Sequence, residues 1–154
     1  FLFQEDGTVG VIDFGCVKKI PDSFYKPYFG LLQIDIENRE DKMVELFYEL
    51  EFISMKDSEK EKKLFKNVFK QMIGLLGRPF QYQEFDFGDD DYFREIYEVG
   101  EKLSQSKEIR QSKIARGSSD GLYINRTYYG LYNMLNELKA VIKTGSKAIV
   151  ALSA

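Results

Sequence analysis

Histidine is absent from the 154 residues, and that gap removes Ser-His-Asp hydrolysis, Cys-His catalysis and most zinc sites. Any chemistry must run on carboxylates, lysines, arginines, tyrosines or a bound ion. Cysteine occurs once, as Cys16, so no internal disulfide can form and no oxidising compartment is called for. A lone small thiol of this kind reads as packing. No stretch approaches the roughly 18 consecutive apolar residues of a membrane-spanning helix. The closing "KAIVALSA" is apolar but too short. An initiator methionine and the basic, then apolar, opening of a signal peptide are also missing. Phe1 and Phe3 already read as strand, so the chain is expected to be a piece of a longer protein.

What is present describes one globular domain over residues 1–154. Hydrophobic residues make up 44% and charged residues 31%, enough of each for a packed core under a solvated surface. The formal charge of −3 gives no pull toward nucleic acid, and no nucleic-acid partner is expected.

The apolar pattern is a hairpin followed by helices. "FLFQ" and "VGVID" flank Glu5-Asp6-Gly7-Thr8, and an Asp-Gly turn between apolar runs marks a β-hairpin over residues 1–13. After Pro21 the period changes from 2 to 3.6. Tyr25, Tyr28, Phe29 and Leu32 share one face of a first helix, with Asp22 or Ser23 as its cap and Pro27 near its first turn. A second helix, about 40–53, carries Met43, Leu46, Phe47, Leu50 and Ile53. A third, about 57–76, opens with the capping box Ser58-Glu59-Lys60-Glu61 and stops at "GRPF". A fourth begins near Asp91 and runs to about Ser106. "ARGSSDG" at 115–121 is a loop. A last helix, about 125–143, places Tyr128, Leu131, Tyr132, Leu135, Leu138 and Ile142 on one stripe. The fold class expected is mainly α with an N-terminal β-hairpin.

The segment "GVIDFGCVKKI", residues 10–20, ends an apolar strand on Asp13, Phe14 and Gly15. An aspartate at a strand end sits on rigid backbone and suits Mg²⁺, a hard ion that takes one or two carboxylates beside phosphate oxygens and water. Phe14 would anchor into a neighbouring layer, and Gly15 permits backbone geometry closed to other residues. The plain alternative is that Asp13 ends a strand and Phe14 is core. Other polar residues carry a similar choice. Lys18 and Lys19 would contact phosphate or a lipid headgroup, or stay solvated. Asp89-Asp90-Asp91 has the look of a cation cluster without EF-hand spacing, and an acidic helix N-terminus accounts for it better. Arg116 and Arg126 flank the Gly/Ser loop and would bind an anion or pair with acids.

The stretch "FLFQEDGTVGVIDFGCVKKI" strongly resembles the ABC1 family, also called the UbiB or AarF family, of atypical kinase-like proteins linked to ubiquinone biosynthesis. There a "DPHPGN"-like catalytic segment leads into such a hairpin and then "IDFG" with a small and a basic residue. The closing "LYINRTYYGLYNMLNELKA" resembles the family's late helix. The middle of the chain carries the resemblance only weakly.

The resemblance implies the C-terminal lobe of a kinase-like fold, with Asp13 the metal ligand and Asp13, Phe14 and Gly15 the nucleotide-site motif. It implies ATP and Mg²⁺ as cofactors of the intact protein. The nucleotide lysine, its glutamate partner, the nucleotide loop and the catalytic-loop Asp and Asn would all lie upstream of Phe1. No catalytic residue is then expected within the chain, and the fragment alone would be inactive. The missing N-terminal lobe is the expected partner, with membrane or quinone-biosynthesis proteins as further ones. Self-association would follow through the surface that lobe would cover. The implied location is cytoplasmic, peripheral to a membrane. The alternative is a non-catalytic helical interaction or scaffold module, or a pseudokinase lobe.

Overall fold

The computed structural model describes residues 2–6, 8–10, 12, 17–35, 38–112 and 116–144. Among these, the chain is mainly helical, with two small antiparallel strand pairs. The first pair is the expected hairpin: β1 (Leu2–Phe3) and β2 (Val9–Gly10), in register Leu2 to Gly10 and Phe3 to Val9. Its turn is held by Gln4 N–H donating to the Thr8 carbonyl at 3.0 Å and Thr8 N–H donating to Asp6 Oδ1 at 2.9 Å.

Helix α1 (Asp22–Leu32) takes its N-cap one residue before the earlier of the two expected caps, Asp22 and Ser23. Pro21 is the N-cap, held extended by its ring, and its carbonyl accepts from Phe24 and Tyr25 N–H at 3.0 and 2.9 Å. Asp22 supplies first-turn charge instead of the cap. Pro27 therefore falls in the helix interior, buried, where its missing N–H leaves one helical bond unmade.

Helix α2 (Glu40–Glu49) is shorter than expected. Glu51 takes a left-handed φ of 59°, Glu51 N–H donates to the Tyr48 carbonyl and Phe52 N–H to the Phe47 carbonyl. That is a Schellman ending, and it still buries Leu50, Phe52 and Ile53 by turning the chain back onto the helix. Helix α3 (Glu59–Gly77) starts at the predicted capping box, Ser58 accepting from Glu61 N–H while Glu61 accepts from Ser58 N–H. A 3₁₀ turn at Arg78–Gln81 follows. A Cβ at Gly77 would fall 2.7 Å from the Leu32 carbonyl oxygen, so only glycine allows α3 to end this close to α1.

Helix α4 (Asp90–Gln105) matches its expected bounds closely, and a five-residue helix α5 (Lys107–Gln111) follows it directly. Helix α6 (Ser119–Glu137) starts and stops about six residues before its expected range. Ser118 caps it, accepting from Asp120 N–H. At its end Lys139 adopts φ 47°, Lys139 N–H donates to the Asn136 carbonyl and Ala140 N–H to the Leu135 carbonyl, a second Schellman ending. The chain then forms β4 (Val141–Ile142), which pairs with β3 (Phe85–Asp86). The expected α6 stripe is only half right in consequence. Tyr132 is buried and Tyr128 and Leu135 partly so, whereas Leu131, Leu138 and Ile142 stay exposed.

Two apolar clusters fill the interior. The larger joins α1, α2 and α3 through residues such as Tyr28, Leu31, Met43, Phe47 and Phe65, with Ile124 of α6 closing it. The smaller gathers Phe85, Phe87, Tyr92, Phe93 and Tyr132. Leu76 and Tyr128 pack against both, so the described helices share one continuous core. No helix among the described residues is long and apolar enough to cross a membrane.

Candidate functional site

The nucleotide-site motif Asp13, Phe14, Gly15, with Cys16, lies outside the described residues. The basic segment after it is described, and it is docked. Lys18 Nζ sits 2.7 Å from Asp120 Oδ1 in the first turn of α6 and 4.6 Å from the centre of the Tyr123 ring. Ile20 packs against the larger cluster. Lys18 is thus held by a carboxylate and an aromatic face, whereas Lys19 is exposed and forms no ion pair among the described residues.

The same end of α6 carries the most buried charge found among the described residues. Arg116 has a side chain 7% exposed, and its partner Asp57, in the loop before α3, is fully covered. The contact is bidentate: Nη1 donates to Asp57 Oδ2 at 2.7 Å and Nη2 to Oδ1 at 3.0 Å. Nη1 also reaches the Phe52 carbonyl at 3.3 Å, and the guanidinium lies 3.4 Å above the Phe65 ring. Asp57 Oδ2 accepts Ser54 N–H as well, at 2.7 Å. The hydrogen bonds from Arg116 hold the Asp57 carboxyl below the usual aspartate range, against the opposing effect of burial. Beside the pair, Gly117 has φ 72° and donates its N–H to the Glu51 carbonyl at 2.9 Å, fastening the loop before α6 to the loop after α2. Of the two arginines singled out in the sequence, Arg116 pairs with an acid and Arg126 is exposed, with no ion pair among the described residues.

The acidic triplet divides its work three ways. Asp89 is the N-cap of α4, accepting from Asp91 and Tyr92 N–H. Asp90 pairs with Lys139 at 2.6 Å, which draws its carboxyl below the usual range, and Asp91 pairs with Arg94. Among the described residues no group of three or more acidic or thiol side chains is arranged to hold a metal ion.

Three tyrosines form buried polar ties between elements. Tyr28 donates to Asn125 Oδ1 at 2.5 Å, Tyr92 to the Leu75 carbonyl at 3.0 Å and Tyr132 to the Leu76 carbonyl at 2.9 Å. Burial pushes all three hydroxyls well above the usual phenol range, and Tyr128 to about 12. None is poised as an acid or base near neutral pH.

Two concave features stand out. An apolar groove of about 480 Å³ runs between α3, α4 and α6, floored by Met72, Leu75, Leu76, Ile96 and Val99. A smaller cavity of about 160 Å³ lies under the N-terminus of α6, with Tyr28, Asn125 and Arg116 in its wall. Sequence reading missed Asp57 and both of these features. Asp57 directly precedes a capping box, where an acid is expected on the surface, and its partner lies 59 residues away. No family model, no curated protein and no solved structure matches this chain.

Proposed function

We propose that the chain is the C-terminal lobe of an ABC1-type atypical kinase or ATPase, with Asp13 as a Mg²⁺ ligand of the intact protein. The observation that carries this reading is "FLFQEDGTVGVIDFGCVKKI", an apolar hairpin running into Asp-Phe-Gly and then lysines. Mg²⁺ held by such an aspartate neutralises charge on the β- and γ-phosphates. The order of elements supports the reading at a coarse level, a hairpin followed by helices, with one short strand pair whose strands precede α4 and follow α6. So does the anchoring of Lys18 on α6, which ties the segment leaving the motif to the helical core. The role of this lobe is to present the metal ligand from a rigid base. The nucleotide lysine and catalytic-loop Asp and Asn would come from sequence upstream, and the chain alone would not turn over ATP. By the same resemblance the pathway is quinone-lipid biosynthesis on the cytoplasmic face of a membrane.

A second reading, a non-catalytic helical interaction module, draws on the exposed apolar side chains Leu122, Tyr123, Leu131, Met134 and Leu138 of α6. Calorimetry of Mg²⁺-ATP binding separates the two. The test uses the chain joined to the upstream sequence that the resemblance expects, beside its Asp13→Asn variant. Mg²⁺-dependent binding that the variant loses supports the first reading. Identical behaviour of the two proteins sinks it and leaves the interaction module.

A further inference from the structure

Helices α3 and α6 have the same length, 19 residues each, but differ in what they leave in water. No large apolar side chain of α3 is exposed, whereas Leu122, Tyr123, Leu131, Met134 and the capping Leu138 of α6 stay between 44% and 67% exposed. A single surface leucine is ordinary, but several on one helix make a patch of the kind that marks an interface. At 3.6 residues per turn, Tyr123, Arg126, Gly130, Met134 and Glu137 run along the side of α6 opposite its buried Ile124 and Tyr132. A Cβ at Gly130 would meet nothing within 4 Å, so the helix backbone is bare in the middle of that side.

The two charges on that side, Arg126 and Glu137, are exposed and lie about three turns, or about 16 Å, apart, too far to meet within one helix. Neither forms an ion pair among the described residues. Their midpoint falls next to Gly130, between Leu131 and Tyr132. A second copy laid antiparallel about a two-fold axis at that midpoint sets Arg126 of each copy against Glu137 of the other. The same operation brings Tyr123 beside Leu138 of the other copy and Met134 beside its Leu131, and every such contact is made twice. A parallel pair would instead oppose Arg126 to Arg126 and Glu137 to Glu137, so charge selects the antiparallel one. Positive at one end, negative at the other and apolar between, this side of α6 is complementary to its own reverse.

We propose that the outward side of α6 is the docking surface for a second copy of this chain, packed antiparallel, with Arg126–Glu137 ion pairs closing both ends and Gly130 letting the two helices approach at the centre. The proposal names the occupant of the side chains on which the interaction-module reading draws. It does not depend on Asp13, and the calorimetric outcome there leaves it standing or falling on its own test.

The test is sedimentation equilibrium of the chain beside Arg126→Glu, Glu137→Arg and the double swap, with circular dichroism to check that helix content is kept. The expected result is a monomer–dimer equilibrium in which each single reversal, by setting two like-charge pairs, weakens the dimer about tenfold or more. The double swap should restore it, and so should an equimolar mixture of the two single variants. A chain that stays monomeric up to about 1 mM overturns the proposal and leaves this side of α6 to another occupant. A dimer indifferent to both single reversals overturns it too, because the contact then lies elsewhere. So does a double swap no tighter than the single variants, which would show that Arg126 and Glu137 do not meet, and so does assembly beyond a dimer, which a closed two-fold forbids.

Discussion

Arg116 closes a bidentate contact on Asp57 across 59 residues of chain, with Nη1 at 2.7 Å and Nη2 at 3.0 Å, and neither side chain reaches solvent to any extent. The pair sits where three segments meet: the turn after α2, the cap of α3 and the loop entering α6. Removing two charges from water costs several kcal/mol per ion before their attraction is counted. The site offsets that cost with the Ser54 N–H on Asp57 and the Phe65 ring under the guanidinium. Its value is therefore as a lock on one arrangement of loops more than as net stability.

A double-mutant cycle checks this. Asp57→Ala leaves a buried guanidinium unpaired and is expected to cost about 3–5 kcal/mol in urea unfolding. Arg116→Met leaves the carboxylate with only the Ser54 N–H and is expected to cost a similar amount. The double variant should recover about 2 kcal/mol or more of the summed losses. Strict additivity would mean the two groups do not stabilise each other. The acid limb gives an independent reading. The carboxyl of Asp57 is depressed in the fold, so its contribution is present above the unfolded value and lost as pH falls below about 4. Asp57→Asn should flatten the decline of stability in that range.

At the alkaline end the sign reverses. Burial raises the hydroxyls of Tyr28, Tyr92 and Tyr132, so the folded state holds protons that the unfolded state releases above about pH 10. Stability from these groups is complete below that value and falls as pH rises through it. Phenolate absorbance from the three should appear together with loss of the helical circular-dichroism signal. Tyr132→Phe should reduce the slope of stability against pH above about 10 while costing about 1 kcal/mol at neutral pH through the lost bond to Leu76. A slope unchanged by that substitution would show that Tyr132 ionises freely in the fold.

The acidic triplet gives a third test, between helix cap and cation site. Asp89→Ala removes the acceptor for Asp91 and Tyr92 N–H and is expected to cost about 1 kcal/mol. Asp90→Asn and Asp91→Asn, which touch only surface pairs, should cost less. Millimolar Ca²⁺ or Mg²⁺ should leave Tm unchanged in all four proteins. A cation-dependent rise that disappears in Asp91→Asn would restore the metal reading.

The hairpin, the capping box at Ser58 and the buried face of α2 were legible because each is written locally, in a turn dipeptide, a four-residue cap and a 3.6-residue repeat. Helix starts and stops were less so. The N-cap role of Pro21 depends on its fixed φ and on its carbonyl, which side-chain preferences do not reveal. Strands β3 and β4 are two residues each and pair across more than fifty positions, beyond any local pattern. The Asp57–Arg116 lock was half visible. Arg116 could be expected to find an acid, but nothing near Asp57 distinguishes a buried aspartate from a surface one. The cavity beside it was not visible at all, since it is lined from four separate stretches of chain.

The two helices that stop short of their expected ends share one cause, and it supplies the last prediction. Both α2 and α6 end in Schellman motifs whose left-handed residue is not glycine: Glu51 at φ 59° and Lys139 at φ 47°. Without a glycine signal the apolar period of the sequence runs on past the helix end, through Ile53 in one case and Ile142 in the other. A Cβ in the left-handed region costs about 1 kcal/mol or more, part of which glycine returns through its freer unfolded state. Glu51→Gly is therefore expected to stabilise the fold by about 0.5–1 kcal/mol, since Glu51 is exposed and its backbone bonds to Tyr48 and Gly117 are kept. Lys139→Gly should gain less, because it also removes the contact with Asp90. Glu51→Ala is the control. Alanine keeps the Cβ and should bring no gain, so stabilisation by alanine equal to that by glycine would trace the effect to the lost charge and not to the backbone.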